Sequence, residues 1–316
     1  MGMKVSGSGF QEILTPGTRP PYSPTFMNGD DVIYLEVDGL KRRYVLHRPP
    51  HHDPARRYAA VVMLDGRGGT PWTAMKSSGW SAHADAHDFL AVYPEALRLQ
   101  PDAPMHFLTN PQMWNAGPGG ADTEREGADD VAFLRALLAD VREKAGLDPR
   151  RIFFTGFSNG AAMCFRFAVA EPDLVAAIAP VAGHFRFPVT ALPRAIPMTY
   201  YFGRQDPLSP YNGGPVDLPW GAHEERPPAR ASVLAWSRLC GLGEEPLHVR
   251  RTEGVTVEQF GPDPAGAEIL FTTVDDCGHT WPGGHRLLPE NIAGKTSSRV
   301  NATAEIWDFF QRHPLP

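Results

Sequence analysis

The chain has 316 residues, 42% of them hydrophobic, so it can bury a sizeable core. Its formal net charge of -6, with no basic stripe or aromatic platform, argues against a nucleic-acid partner. No apolar run approaches the roughly 18 residues of a membrane span, and 31 glycines and 32 prolines require that much of the chain be turns and loops.

Residues 1–30 mix Gly, Ser, Pro and Thr without an apolar period and are expected to form an irregular arm ahead of a single domain, 31–316. No charged-then-apolar leader opens the chain, which leaves a cytoplasmic protein or a trimmed leader. The start Met1-Gly2-Met3-Lys4-Val5-Ser6 formally matches a lipidation pattern and reads as chance or a cloning scar. Val32–Val37 and Arg43–His47 read as antiparallel strands joined at Asp38-Gly39. Tyr58–Leu64 is a continuous apolar run, as in a strand covered on both faces, and it ends in Asp65-Gly66-Arg67-Gly68-Gly69-Thr70. Trp72–His87 reads as one helix and Phe89–Tyr93 as the next strand. His83 and His87 share a helical face, but no third ligand accompanies them, so no metal site is expected.

Pro94 to Asp122 is a long connection carrying Met113-Trp114-Asn115, and long loops on α/β enzymes commonly build the substrate site. Trp114 is the candidate acyl-contacting aromatic. From Thr123 the pattern turns helical through Val131, Phe133, Leu134, Leu137, Leu138 and Val141, and stops at Gly146. The apolar run Arg151-Ile152-Phe153-Phe154-Thr155 then breaks at Gly156-Phe157-Ser158-Asn159-Gly160 and resumes with helical spacing at Ala161, Ala162, Phe165 and Val169. That is a strand, a sharp turn and a helix around G-x-S-x-G, the pattern of a nucleophile elbow with Ser158 exposed at its tip. Strand and helix approach so closely there that a Cβ at Gly156 or Gly160 would clash. In such an elbow the backbone N–H of the residue after the nucleophile and one from the loop after the earlier strand form the oxyanion hole, which assigns Asn159 and Arg67.

Leu174–Val181 and Ile196–Phe202 are two further apolar strands. The second runs into Gly203-Arg204-Gln205-Asp206-Pro207, where a triad acid belongs, and Asp217 is held in reserve. Residues 207–228 form a Pro/Gly-rich insertion over the cleft, with Tyr211 and Trp220. A helix at Ala229–Leu239 and strands at Val255–Phe260 and Ile269–Val274 follow, and the last strand enters Asp275-Asp276-Cys277-Gly278-His279. Of twelve histidines, His279 alone completes the order Ser, Asp, His in the right contexts, with His184 and His285 as competitors. Cys164 packs as a small hydrophobe, while Cys240 and Cys277 either bridge two loops or stay free. A helix near Ala302–Phe310 closes the chain, and Asn301-Ala302-Thr303 is a glycosylation sequon by pattern only.

At these residues the chain resembles the LpqC-like, polyhydroxybutyrate-depolymerase-type esterases, which are related to the feruloyl and acetylxylan esterases of carbohydrate esterase family one. The resemblance runs from about Arg43 to Gly284. It is carried by Trp114-Asn115, Asp129-Asp130-Val131-Ala132-Phe133, Gly156-Phe157-Ser158-Asn159-Gly160, Pro180-Val181-Ala182-Gly183, Asp206-Pro207-Leu208-Ser209-Pro210-Tyr211 and Gly278-His279-Thr280-Trp281-Pro282-Gly283. It implies an α/β-hydrolase fold with a mostly parallel central sheet flanked by helices, and activity on esters of hydroxy acids or aromatic acids. Because many relatives are secreted, it also implies a secreted or periplasmic protein whose leader has been removed. The chain departs from the pattern in two places. Asp65-Gly66 stands where the family usually has His-Gly, and no cysteine lies near Gly261.

The combined expectation is a serine ester hydrolase with Ser158 as nucleophile, His279 as base, Asp206 as orienting acid and no metal or organic cofactor. Its substrate is an ester, polymeric or oligomeric, such as polyhydroxybutyrate, lying along Trp114, Asn115, Tyr211, Trp220 and Trp281. A feruloyl or acetylxylan esterase is the rival enzyme, and a non-catalytic binding module on the same fold is the rival of another class.

Overall fold

The computed structural model describes residues 29–117 and 128–316. The expected arm 1–30 lies almost wholly outside the described residues, as do the lipidation-like start and the Thr123 end of the second predicted helix. Five strands lead up to the elbow: β1 (Asp30–Val37), β2 (Leu40–His47), β3 (Tyr58–Leu64), β4 (Leu90–Pro94) and β5 (Leu147–Phe157). After it come β6 (Ala177–Val181), β7 (Met198–Gly203), β8 (Gly214–Asp217), β9 (His223–Arg226), β10 (His248–Thr252), β11 (Val255–Phe260) and β12 (Ile269–Val274). The described helices are α1 (Pro71–Ser78), α2 (Trp80–His87), α3 (Asp130–Ala145), α4 (Asn159–Ala170), α5 (Ala229–Leu239), α6 (Glu290–Ala293) and α7 (Ala302–Gln311).

Ten strands form one sheet in the order β1-β2-β4-β3-β5-β6-β7-β12-β11-β10, and β8 pairs with β9 in a separate hairpin. The six central strands β4, β3, β5, β6, β7 and β12 are parallel. Antiparallel strands flank them on both sides. The sequence explains this centre: β3 is apolar at every position and buried at every position, as a strand covered on both faces must be. Alternation along it feeds two cores. Ala60, Val62 and Leu64 join Leu134, Phe154 and Phe167 on one face, while Val61 and Met63 join Trp80, Phe153 and Phe310 on the other. Phe153 stacks on Phe310 at 4.6 Å and Phe154 meets Phe167 at 4.5 Å, so neighbouring residues of β5 anchor opposite layers. Each such fully buried ring contributes roughly 1.5–3 kcal/mol.

One expectation is corrected, one strand is added and one open alternative is decided. Residues 72–87 are two helices rather than one, because Gly79 adopts φ 73 and its N–H closes α1 on Met75 O at 2.9 Å. Strand β10 gave no apolar signal because all five of its residues are exposed at the sheet edge, where Arg250 and Arg251 guard against further pairing. Cys240 and Cys277 are both buried and free: one thiol faces Ile196 O at 3.6 Å and the other Thr280 Oγ1 at 3.4 Å. The Asn301 side chain caps α7 by accepting the Ala304 N–H. His83 and His87 lie 4.2 Å apart, and among the described residues no group of three or more His, Cys, Asp or Glu is placed to hold a metal ion.

The β1–β2 hairpin is tied to the body through a buried imidazole. His47 meets Asp30 through Nδ1 at 2.7 Å and Asp85 through Nε2 at 2.9 Å. Burial alone pushes its pKa down, but the two carboxylates outweigh burial and hold it above the ordinary value. A raised histidine pKa gives stability that is complete below the unfolded value of about 6.5 and is lost as pH rises through the folded value. The advantage of the wild type over His47→Asn in denaturant midpoint is therefore expected to be largest below pH ~6.5 and to shrink above it. A gap constant from pH 5 to 9 would show that the imidazole is uncharged.

Candidate active site

The site gathers on loops at the carboxyl ends of the parallel strands, where an open α/β sheet offers its crevice. Ser158 stands between β5 and α4 with φ 54 and ψ -115, a conformation costly for any residue with a side chain. Packing enforces it. A Cβ on Gly156 would lie 2.5 Å from Gly160 O, and one on Gly160 would lie 2.1 Å from Leu64 O, so only glycines let strand and helix meet. Ser158 N–H donates to Val181 O at 2.9 Å, which fixes the turn to the neighbouring strand.

The structure brings the three predicted side chains together. His279 Nε2 lies 2.9 Å from Ser158 Oγ, and His279 Nδ1 lies 2.7 Å from Asp206 Oδ2. The other oxygen, Oδ1, accepts the N–H groups of Leu208 at 2.9 Å and Ser209 at 2.7 Å. An ionised carboxylate only accepts, so Nδ1 carries the proton toward Asp206 and Nε2 is left to accept from the serine hydroxyl. Asp206 is 4% exposed and His279 7%. The histidine loop is held by main-chain bonds from Gly278 N to Lys295 O at 2.8 Å and from His279 N to Ala293 O at 2.6 Å. The reserve acid Asp217 sits on β8 in an exposed pair with His223, outside this constellation. His285 is exposed, and His184 is buried beside the acid loop.

The loop after β3 packs against the elbow: a Cβ on Gly66 would lie 3.2 Å from Ser158 Cβ, and Arg67 is the next residue along that loop. Asn159 is the first residue of α4, where helix N–H groups lack intrahelical partners. Asp65 organises the loop in a way the sequence did not reveal. Its carboxylate accepts Gly66 N–H at 2.8 Å and the Thr73 hydroxyl at 2.5 Å, and Thr73 with Thr70 forms the capping box that starts α1. The legible signal was Thr70-Pro71 three residues ahead of Thr73, a helix start directly beyond the glycines.

The candidate substrate residues divide. Trp114 is 1% exposed, donates its indole N–H to Asp65 O at 3.0 Å and stacks on Phe133, so it supports the loop from below and does not face a substrate. Its main chain is clasped by the Asn159 side chain, which accepts Trp114 N–H at 2.7 Å and donates to Trp114 O at 3.2 Å. Trp281, 3% exposed, is likewise corrected to a core residue bonded to Thr303. Asn115 is held structurally: its N–H donates to Asp130 Oδ2 at 2.6 Å, and its side chain to Ala128 O at 3.3 Å. Asp130 is itself paired with Arg42 at 2.6 Å in a buried ion pair. Tyr211 packs on Phe271 with the Arg204 guanidinium over its ring. Trp220 stays beside the oxyanion loop, half-buried, with the Arg67 guanidinium 4.5 Å over its ring and Phe107 against its edge. Arg67 also donates to Leu108 O at 3.1 Å, so one side chain joins the loop after β3, the 94–117 connection and the 207–228 insertion.

No protein-family profile matches the chain. Among curated proteins it is 29% identical over 315 residues to "Putative esterase NocK" of Nocardia uniformis subsp. tsuyamanensis, covering 94% of this chain and 86% of that one. It is 30% identical over 173 residues to feruloyl esterase B of Piromyces equi, covering 53% and 31% of the two chains. It is also 30% identical over 123 residues to poly(3-hydroxyalkanoate) depolymerase C of Paucimonas lemoignei, covering 39% and 27%. The chain thus spans most of the first relative and about a third or less of the other two. A solved S-formylglutathione hydrolase from Agrobacterium tumefaciens superposes with a TM-score of 0.57 at 12% identity, covering 92% of this chain and 98% of that one, which shows the α/β-hydrolase fold.

Asp65 supplies a test of the loop. Burial pushes its carboxyl up to about 6, against the hydrogen bonds from Thr73, Gly66 and Thr70. A raised acid contributes stability that is complete below the unfolded value of about 3.9 and is lost as pH rises through the folded value. Relative to Asp65→Asn, the wild type is expected to lose roughly 3 kcal/mol of unfolding free energy between pH 4 and 7. Parallel stability curves for the two proteins would place the carboxylate in a polar environment instead.

Proposed function

We propose that this chain, an esterase similar to the feruloyl/acetylxylan esterase and polyhydroxyalkanoate-depolymerase group of α/β-hydrolases, hydrolyses hydroxy-acid oligoesters or polyesters through an acyl-serine intermediate. The observation that carries the mechanism is the continuous Asp206–His279–Ser158 hydrogen-bond relay at 2.7 and 2.9 Å on a strained elbow.

In this reading Ser158 Oγ attacks the ester carbonyl and its proton passes to His279 Nε2. Asp206 keeps the ring in the right tautomer and stabilises the imidazolium. The carbonyl oxygen, now anionic, is received by the N–H groups of Arg67 and Asn159, each contributing roughly 3 kcal/mol to the transition state. Collapse breaks the C–O bond, and His279 returns the proton to the leaving alkoxide. Water, deprotonated by the same imidazole, then attacks the acyl-serine, releases the acid and regenerates the hydroxyl. None of these steps calls on a metal or an organic cofactor.

The aliphatic acyl preference is supported by how the aromatics are used. Trp114 and Trp281 are buried, and Trp220 already has one face under Arg67 and an edge against Phe107. A phenolic ring needs an open flat face, whereas a short hydroxyacyl chain needs only apolar contact. The feruloyl esterase among the relatives favours the second reading, an aromatic-acid ester.

Ser158→Ala is expected to lower kcat on p-nitrophenyl butyrate by a factor on the order of 10⁶, and Asp206→Asn by about 10⁴. A fluorophosphonate should label Ser158 alone, as read by peptide mass. Release of 3-hydroxybutyrate from polyhydroxybutyrate film, set beside methyl ferulate cleavage, separates the acyl readings. Faster ferulate turnover would overturn the aliphatic one.

A further inference from the structure

The turn after β6 carries a buried histidine that none of the steps above uses. Ala182 has φ 54 and donates its N–H to Tyr201 O at 3.0 Å, while Tyr200 donates its hydroxyl to Gly183 O at 2.9 Å. Gly183 lies flat against the elbow, where a Cβ would come within 2.1 Å of Ser158 O. The next residue, His184, is 3% exposed, and its Nε2 lies 2.7 Å from Ser209 Oγ, itself buried. The main-chain N–H of that same Ser209 is one of the two donors to Asp206 Oδ1. Contacts therefore form a closed circuit from the Ser158 main chain through Gly183, His184, Ser209, Asp206 and His279 back to the Ser158 hydroxyl.

We infer that His184 is a positioning residue for the reaction: through the Ser209 hydroxyl it holds the acid loop at a fixed distance from the nucleophile elbow, and so sets the aim of Asp206 at His279. The inference rests on the triad reading given above. It follows from what each contact constrains. The elbow and the acid loop hang from different strands, β5 and β7; His184 stands on the β6 turn directly after Gly183, which abuts the elbow, and its side chain ends on the acid loop. Without it, Ser209 keeps its N–H but loses its side-chain anchor, and the carboxylate can rotate with the 206–209 turn. The environment suits a neutral spacer. Burial first, and then the positive charges of Arg186, Arg226 and His279, push the His184 pKa down to about 3. An uncharged ring does not compete with His279 for the Asp206 carboxylate, and Phe202 packs 5.4 Å from it. His184 Nδ1 is buried and has no hydrogen-bond partner among the described residues, so Nε2 is the polar tether of this ring there.

The test uses the full chain with p-nitrophenyl butyrate. Ser209→Ala removes the hydroxyl and keeps the main-chain donor. His184→Phe keeps an aromatic ring without the nitrogen, and in His184→Gln the amide nitrogen reaches the place of Nε2. Ser209→Ala and His184→Phe are each expected to lower kcat about 10-fold with KM unchanged, and to move the acidic limb of kcat/KM to lower pH, because a loosened carboxylate supports the imidazolium less. His184→Gln should recover most of kcat. Where His184→Phe fails to fold, Ser209→Ala alone decides. Lowered thermal stability with kcat and the pH limb unchanged would make the pair a packing contact and overturn the inference. Loss in His184→Phe but none in Ser209→Ala would overturn the route through Ser209. Fluorophosphonate labelling of the wild type keeps the two readings apart: no label on Ser158 sinks the triad, whereas a label on Ser158 with fully active variants sinks only the role of His184.

Discussion

Everything at this site depends on one close approach, the meeting of β5 and α4 across Gly156 and Gly160. The main chain turns there with Ser158 at φ 54, a strain of roughly 1–3 kcal/mol that local interactions alone would not hold. The two apolar layers hold it, because Phe153 and Phe154 lock β5 into opposite faces of the sheet and Phe167 pins α4 onto one of them. Neighbouring loops then crowd the elbow from three directions. Gly66 from the β3 loop touches the serine side chain, Gly183 from the β6 turn touches its carbonyl, and His279 from the β12 loop meets its hydroxyl. A serine so surrounded has little freedom, which is the condition for reacting groups to be held near attack geometry.

The loops themselves are organised by buried polar groups whose partners are supplied from inside the chain. Asp65 gathers the β3 loop, Asn159 clasps the main chain of Trp114, and Asp130 receives both the Asn115 N–H and the Arg42 guanidinium. A buried carboxylate left unpaired would cost several kcal/mol, so these acids tie their loops to one arrangement. This also accounts for Asp65 in a place where a histidine was expected from the resemblance. Either side chain can fold a glycine loop back on itself, and here an acceptor-only group does so by taking the Gly66 N–H and the Thr73 hydroxyl.

The framework was legible because its signals are local and periodic. The apolar run of β3, the apolar face of α3, the bounds of α5 and the local contexts of Ser158, Asp206 and His279 each express a rule that acts over a few residues. What was not legible depends on contacts between distant segments. An aromatic on a loop looks the same in sequence whether it faces a substrate or closes a core. Trp114 and Trp281 became core because each indole N–H finds an internal acceptor, on Asp65 and Thr303. His184 stood out in sequence only as a competitor for the base, because its meaning comes from Ser209, 25 positions further on. The edge strand β10 was missed for the converse reason: a solvent-facing edge needs no apolar period.

The same distinction bears on where specificity resides. The relay and the elbow would serve any ester, because they address only the carbonyl carbon and its oxygens. Selection among acyl groups must come from surfaces reaching beyond that centre, and Arg67 joins the two. Its main chain follows Gly66, which packs against Ser158, while its guanidinium is spread over Trp220 and bonded to Leu108 O. Any change in the 207–228 insertion that moves Trp220 thus bears on the residue whose N–H is proposed to receive the oxyanion. On that proposal acyl fit and transition-state stabilisation are coupled through Arg67, and an insertion remodelled for a larger acyl group would have to leave Arg67 in place.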